Sequence, residues 1–266
     1  MNKIILSVFL FLSLNILAQN EEERWVDSVF NSFTLEQRVG QLMNLRANQP
    51  NKDFDTKIDE YIEKYNIGGV TFFRTDAEDL LKQANEWQSM AQTPMMIAID
   101  GEWGLGMRIN DGLSYPYQMT LGAITNDSLI SEMGCQIAEQ CTRIGINVNF
   151  APDIDVNNEP NNPVIGFRSF GEDPDNVARK GTAYALALQN NGVLPSMKHF
   201  PGHGNTKSDS HHALPIIKNS LEEIEKIELY PFQYAIDKGV KGAMVGHLYF
   251  PALEPVVNKS STKSKN

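Results

Sequence analysis

The sequence predicts an α/β fold of the TIM type, a (β/α)8 barrel with about six βα units present. Strand-like and helix-like stretches alternate along the chain, which is the pattern of a parallel sheet. One strand, Pro94-Met-Met-Ile-Ala-Ile99, is apolar without interruption, as a strand covered on both faces should be. Polar groups directly follow at least four strands: Asp100 after Ile99, Asp153 after Phe150, Lys198-His199 after Met197, and His247 after Gly246. The carboxyl ends of barrel strands are where such a fold gathers its functional side chains. A doubly wound open sheet also binds at carboxyl ends, but at one crevice. Polar groups after successive strands suit a ring better.

Taken in order, the chain opens with Lys3 and an apolar run over 4–17, closed by the small Ala18. A bilayer takes about 20 residues to cross, so the run is short for a span. It fits an export signal over residues 1–18, with a periplasmic or extracellular destination, and an uncleaved anchor is the alternative. No Cys follows it, which argues against a lipoprotein anchor. The barrel domain is expected over 19–257, and the polar stretch 258–266 reads as a disordered tail.

Within the domain, Thr34-Leu-Glu-Gln37 has the form of a capping box ahead of a helix. Residues 77–90 read as a helix with Leu80, Leu81, Ala84 and Trp87 on one face, and Ile130, Met133, Ile137, Cys141 and Ile144 recur at helical spacing. Gly145 ends that second helix. Asp173 can cap a third that starts at Pro174, carries Val177, Tyr184 and Leu188, and stops at Gly192. Ser220-Leu-Glu-Glu223 is another capping box, opening a helix to about Tyr230. Strands are expected near 39–45, 68–73, 95–99, 146–150, 193–197 and 241–246. A closed barrel needs eight, so the chain reads as stopping about two units early.

The formal net charge is −10, which argues against a nucleic-acid surface and for a neutral or weakly charged ligand. Cys135 and Cys141 are the only cysteines and fall on different sides of one helix, so they should not pair. With 41% apolar residues, stability should come from a core.

Lys198 to Pro215 reads KHFPGHGNTKSDSHHALP and holds four of the five histidines. Pro201, Gly202 and Gly204 exclude a helix, so the stretch reads as an ordered loop rich in titratable groups. A zinc site is one reading, but Pro-Gly breaks the helix that would align His199 with His203, and zinc wants three or four fixed ligands. Histidines satisfied by turns are a second, and serve for His203 and His212. The third is acid–base chemistry: Asp209 lies two residues before His211, can fix its tautomer and raises its basicity.

Here the residues resemble a known family. KHFPGHG followed by Asp209-Ser-His211 is similar to the signature of bacterial β-N-acetylglucosaminidases of glycoside hydrolase family three. Asn162-Pro-Val-Ile-Gly-Phe-Arg-Ser-Phe-Gly171, Asp100-Gly-Glu-Trp-Gly-Leu-Gly-Met-Arg108 and Ala151-Pro-Asp-Ile-Asp155 resemble its other motifs, and the likeness runs from about Thr34 to Pro255. It implies an Asp209–His211 dyad as general acid/base. It implies Asp100, Arg168, Lys198 and His199 as the sugar-binding set, a terminal β-linked N-acetylglucosamine of a muropeptide or chitin-type glycan as ligand, and no cofactor or metal. Phe167, Trp103 or Phe200 could pack a sugar face, or could be core, and His247 could line the same pocket. Trp103 and Gly106 depart from the family pattern, so the turn after Asp100 should differ in shape.

A retaining reaction also needs a carboxylate nucleophile opposite the acid/base. The family places it after the segment matching 242–255, and Asp237 and Glu254 do not match it. The expectation is a fragment or early-ended form of a longer hydrolase. The alternatives are a non-catalytic glycan-binding fragment and a β-glucosidase-type or phosphorolytic relative.

Overall fold

The structure, a computed structural model, describes residues 20–47, 52–207 and 214–254. The expected export signal (1–18), the polar tail (258–266), and both Asp209 and His211 lie outside the described residues.

The sheet carries the barrel argument. Strands β1 (Asn44–Ala47), β2 (Gly69–Phe72), β3 (Met96–Ile99), β4 (Val148–Asn149) and β5 (Leu194–Pro195) pair in parallel in strictly sequential order. After Ser196 the same chain continues as β6 (Met197–Phe200), parallel to β7 (Ala243–Val245). The Lys198 amide donates to Pro152 O and the Ile154 amide to Lys198 O, so β6 prolongs the wall past the end of β4. A doubly wound sheet reverses its strand order at a switch point. None occurs here, and the wall is that of a TIM-type barrel. Among the described residues β1 is paired only with β2, and β7 only with β6.

Nine helices accompany it among the described residues: α1 (Glu21–Ser32), α2 (Leu35–Gly40), α3 (Lys52–Tyr65), α4 (Ala77–Met90), α5 (Gln118–Gly122), α6 (Ser128–Arg143), α7 (Pro174–Asn190), α8 (Leu221–Lys226) and α9 (Tyr230–Asp237). Both capping boxes form. Thr34 accepts from Gln37 N and Ser220 from Glu223 N, each with the reciprocal side-chain bond. Asp173 caps α7 with Pro174 in its first turn. Gly145 and Gly192 follow α6 and α7 at φ 81 and 83, angles open to glycine. The apolar faces of α4, α6 and α7 close on the strands, with Trp87, Ile137 and Tyr184 fully buried. Both cysteines are free, Cys135 exposed and Cys141 buried. No helix among the described residues is long and apolar enough to cross a membrane.

The structure corrects three boundaries. Val39 belongs to α2, because the Thr34 box draws 35–40 into a helix, and the first strand starts only at Asn44. The helix after Ser220 ends at Lys226, and a second begins at Tyr230 with Pro231 in its first turn, where a missing N–H costs nothing. Lys198 and His199 sit on a strand and not in a loop, because Met197–Phe200 finds a partner in Ala243–Val245.

Candidate active site

A cleft of about 680 Å³ opens at the carboxyl ends of the strands. Its walls bring together Asp100, Arg168, Lys198 and His199, with His247. They also include Glu102, Arg108 and His203.

Each group is held by local structure. Asp100 and Glu102 stand on the turn that leaves β3. Asn149 at the end of β4 clamps that turn, accepting from Gly101 N at 2.9 Å and donating to Gly101 O at 3.3 Å, and the Tyr184 hydroxyl donates to the same carbonyl at 2.9 Å. Arg168 ends a single 3-10 turn, Gly166–Arg168. Gln118, wholly buried, donates to Arg168 O and Asp153 O and ties that turn to β4. The peptide between Lys198 and His199 is cis.

Five charged groups form one row. Lys198 Nζ lies 2.8 Å from Asp100 Oδ1 and 2.7 Å from Glu102 Oε1. Arg168 meets Glu102 with two parallel bonds, Nη2 to Oε1 at 2.7 Å and Nε to Oε2 at 3.0 Å. Such forked pairing fixes orientation as well as charge. Arg108 closes the far end on Asp100 Oδ2 at 3.1 Å. Burial alone would raise the Glu102 carboxyl, but Lys198 and Arg168 outweigh it and hold Glu102 down at about 2. Burial opposes Lys198 in turn, and Glu102 and Asp100 overcome it and push the ammonium up. Glu102 and Lys198 are therefore both charged at neutral pH.

Behind it lies a second carboxylate pair. Asp155 accepts from the His199 amide, from the His203 amide at 2.6 Å, and from His199 Nδ1 at 2.7 Å. Nδ1 facing a carboxylate carries the proton, which leaves Nε2 to accept from Arg168 Nη2 at 3.4 Å. Asp153 is buried with Oδ2 3.5 Å from Arg168 Nη2. Burial, then the Asp155 charge, raises the Asp153 carboxyl well above the ordinary range. Burial, helped by Arg168 and Lys198 against Asp153, lowers His199 to about 4, so its imidazole is neutral.

That shift has a sign. Below about 6.5 the unfolded chain protonates His199 and the folded one refuses the proton until about 4, so His199 makes stability fall as pH drops through this window. The raised Asp153 carboxyl works the other way, and the His199 cation would hold it down. Replacing His199 by Asn should therefore flatten the pH dependence. Urea midpoints measured from pH 6.5 to 4 should fall less steeply in His199→Asn than in wild type, and an equal slope would refute the assignment.

His203 lies in the loop after β6, held by local turn contacts as the loop reading expects, and it is also buried, lines the cleft and packs edge-on to His199 with ring centroids 5.7 Å apart. Its Nδ1 lies 2.8 Å from Thr206 Oγ1. Asn162 joins this segment to the Arg168 loop: its amide donates to His203 O and Gly204 O, while its oxygen accepts from Val164 N and Ile165 N. Of the three aromatics the sequence offered, Phe200 packs edge-on against the buried Phe232 and belongs to the core. Trp103 and Phe167 do not, and Tyr117, which the sequence did not single out, stands between them.

Among the described residues, Asp153, Asp155 and His199 each offer one ligand atom within 4.8 Å of the others. A metal there would meet the Arg168 guanidinium already beside Asp153 and would have to take Asp155 from its donors.

The sequence profile described as "Glycosyl hydrolase family 3 N terminal domain" matches residues 34–265. A beta-hexosaminidase A from Pseudoalteromonas piscicida is 38% identical over 212 residues, covering 74% of this chain and 36% of that protein. A solved glycoside hydrolase family 3 beta-N-acetylglucosaminidase from Paenibacillus sp. str. FPU-7 is 39% identical, with TM-score 0.79, 84% of this chain covered and 44% of that one. A solved beta-glucoside phosphorylase, BglX, has TM-score 0.83 at 24% identity, covering 91% of this chain and 44% of its own, and shares the fold. The chain thus spans well under half the length of each of these three.

Proposed function

The chain belongs to glycosyl hydrolase family 3, and from that membership we propose that it forms the sugar-binding and acid/base side of an enzyme removing terminal β-linked N-acetylglucosamine with retention. The observation that carries the reading is the row Asp100–Lys198–Glu102–Arg168 along the cleft wall. A carboxylate accepts from two neighbouring hydroxyls of a sugar, whereas Lys and Arg only donate. Alternating them presents a fixed donor and acceptor array to a ring of hydroxyls, and their mutual pairing keeps the array in place before the ligand arrives. In this reading Asp100, Arg168, Lys198 and His199 hold the sugar. Neutral His199, with Nδ1 on Asp155 and Nε2 turned toward Arg168, steadies the guanidinium without adding charge to the wall.

The proton chemistry falls to Asp209 and His211. Asp209 orients the imidazole, and His211 gives its proton to the departing oxygen and then takes one from the incoming water. A neutral imidazole repels phosphate less than a carboxylate would, so phosphate is the alternative acceptor. The preference for an N-acetylglucosamine unit is supported by what the relatives at 38% and 39% identity are called, and a muropeptide or chitin-type chain as its carrier is part of the proposal. Export of the protein, through the apolar run at 4–17, belongs to the same proposal.

One observation favours a second reading. Among the described residues the cleft carboxylates Asp100 and Glu102 are each ion-paired, so neither is free to serve as the nucleophile of a retaining reaction. That suits a module that binds the saccharide without turning it over. Calorimetry with N-acetylglucosamine and release of p-nitrophenol from its β-N-acetylglucosaminide, run on one preparation, separate the two. Saturable heat lost in Arg168→Met, with turnover lost in His211→Ala, is the result expected of the glycosidase. Binding without turnover supports the binding module. Absence of saturable heat on folded protein sinks both.

A further inference from the structure

We infer that Trp103, Tyr117 and Phe167 form an aromatic rail that receives the second and later sugars of a β-linked glycan whose terminal residue occupies the cleft. The inference rests on the proposed saccharide site and extends it outward.

The rings form a continuous group. Trp103 meets Tyr117 edge-on with centroids 4.8 Å apart, and Tyr117 stacks on Phe167 at 6.3 Å with planes 29° apart. Each is the chain neighbour of a residue that builds one wall of the cleft. Trp103 follows Glu102, Phe167 precedes Arg168, and Tyr117 precedes Gln118, whose amide holds the Arg168 and Asp153 carbonyls. The rail is thus fixed to the same backbone as Arg168 and its carboxylate partner Glu102, while none of the three rings lines the cleft itself and Trp103 is only partly exposed. Core packing does not explain it: Phe167 is 73% exposed and Tyr117 48%, whereas Phe170, three residues on, is 1% exposed.

Exposed aromatics that are held rigidly suit one class of ligand well. A β-linked pyranose carries its hydroxyls around an equator and shows C–H groups on its two faces. A ring face covers those C–H groups and leaves the hydroxyls in water, at little entropy cost because an aromatic side chain has two torsions. The cleft reads hydroxyls with charge, and the rail offers apolar planes with none. A terminal sugar seated against Asp100 and Arg168 passes its glycosidic oxygen outward, and Trp103 and Phe167, one residue along the chain from Glu102 and Arg168, are the exposed or part-exposed aromatics next to that wall for the following sugars to meet.

The test is calorimetry on the whole chain with two probes, N-acetylglucosamine and its β-1,4-linked trimer. Wild type should bind the trimer about tenfold more tightly than the monomer. Phe167→Ala and Tyr117→Ala should each weaken the trimer about fivefold, with monomer affinity within about twofold of wild type, and Phe167→Tyr should restore the gain. A trimer no tighter than the monomer in wild type, or equal trimer affinity in all variants, overturns the rail while leaving the cleft intact. No monomer binding at all means that the underlying site is wrong and the rail falls with it. The exposure of Phe167 keeps the variant foldable, and an unchanged thermal midpoint verifies that.

Discussion

Replacing Lys198 by Met should abolish saccharide binding and lower the thermal midpoint by roughly 10 °C. Lys198 is 2% exposed and sits between two carboxylates that it neutralises together. Met keeps the length of the stem and removes only the charge. Glu102 would retain Arg168 and Asp100 would retain Arg108, but each would lose its shortest or next-shortest ion pair inside a buried wall. Breaking a buried pair by removing one partner costs about 3–5 kcal/mol, since the other charge stays buried. For a chain of this size about 1 kcal/mol moves the midpoint roughly 2–4 °C. The acid limb should shift as well. Glu102, held at about 2, contributes stability above about 4.5 that is lost as pH falls through about 2. Lys198 is the foremost lowering influence on it, so in Lys198→Met the folded chain should protonate Glu102 at higher pH, and the acid-side loss should become smaller and finish at higher pH. Scanning calorimetry at several pH values, with titration of N-acetylglucosamine, checks both parts. A midpoint within about 2 °C of wild type would remove the ion row from its stabilising role.

Gly204→Ala should be the most damaging single-methyl change in the chain. A Cβ built there would lie 1.6 Å from the Val156 carbonyl oxygen and 2.5 Å from its carbon. Those atoms are backbone and cannot swing aside as a side chain could. Gly204 is not in the left-handed region, so the requirement is for space and not for an unusual φ. Overpacking typically costs about 1–3 kcal/mol, and contact with main chain should put this case at or beyond about 3 kcal/mol. The displaced strand end carries His199, and Gly204 O is one of the carbonyls that Asn162 holds, so ligand binding should fail together with stability. A urea midpoint equal to that of wild type would show that the segment can move away at no cost.

The parts of this fold that read well from sequence were those where one local rule suffices. The 77–90 helix, both capping boxes and the Asp173-Pro174 start depend on residues a few positions apart, and they formed as expected. The first strand did not. Leu42 and Met43, inside the strand expected near 39–45, precede β1 and are 83% and 47% exposed, because the capped helix ahead of them takes up the chain that a strand would need. Lys198 to Phe200 read as part of the loop that Pro201, Gly202 and Gly204 impose just after them, and only their distant partner β7 makes a strand of them. The site followed the same division. Asp100, Arg168, Lys198 and His199 stand next to motifs and could be named in advance. Glu102 acts on Arg168 across 66 residues and Asp155 on His199 across 44, distances over which sequence spacing is silent. The signals available were the paired acids Asp100–Glu102 and Asp153–Asp155, each with its second carboxylate turned inward where a strand ends.

Asn162 gives the cleft a mechanical property. One carboxamide binds the backbone of 203–204 with its nitrogen and that of 164–165 with its oxygen, so two loops distant in sequence share a single rivet. Neither can drift without dragging the other. A pull on Arg168 from one side of the opening is therefore transmitted as torque to the chain just before Thr206, and the sensing wall and the far strand end must respond to a ligand as one lever rather than as two independent jaws.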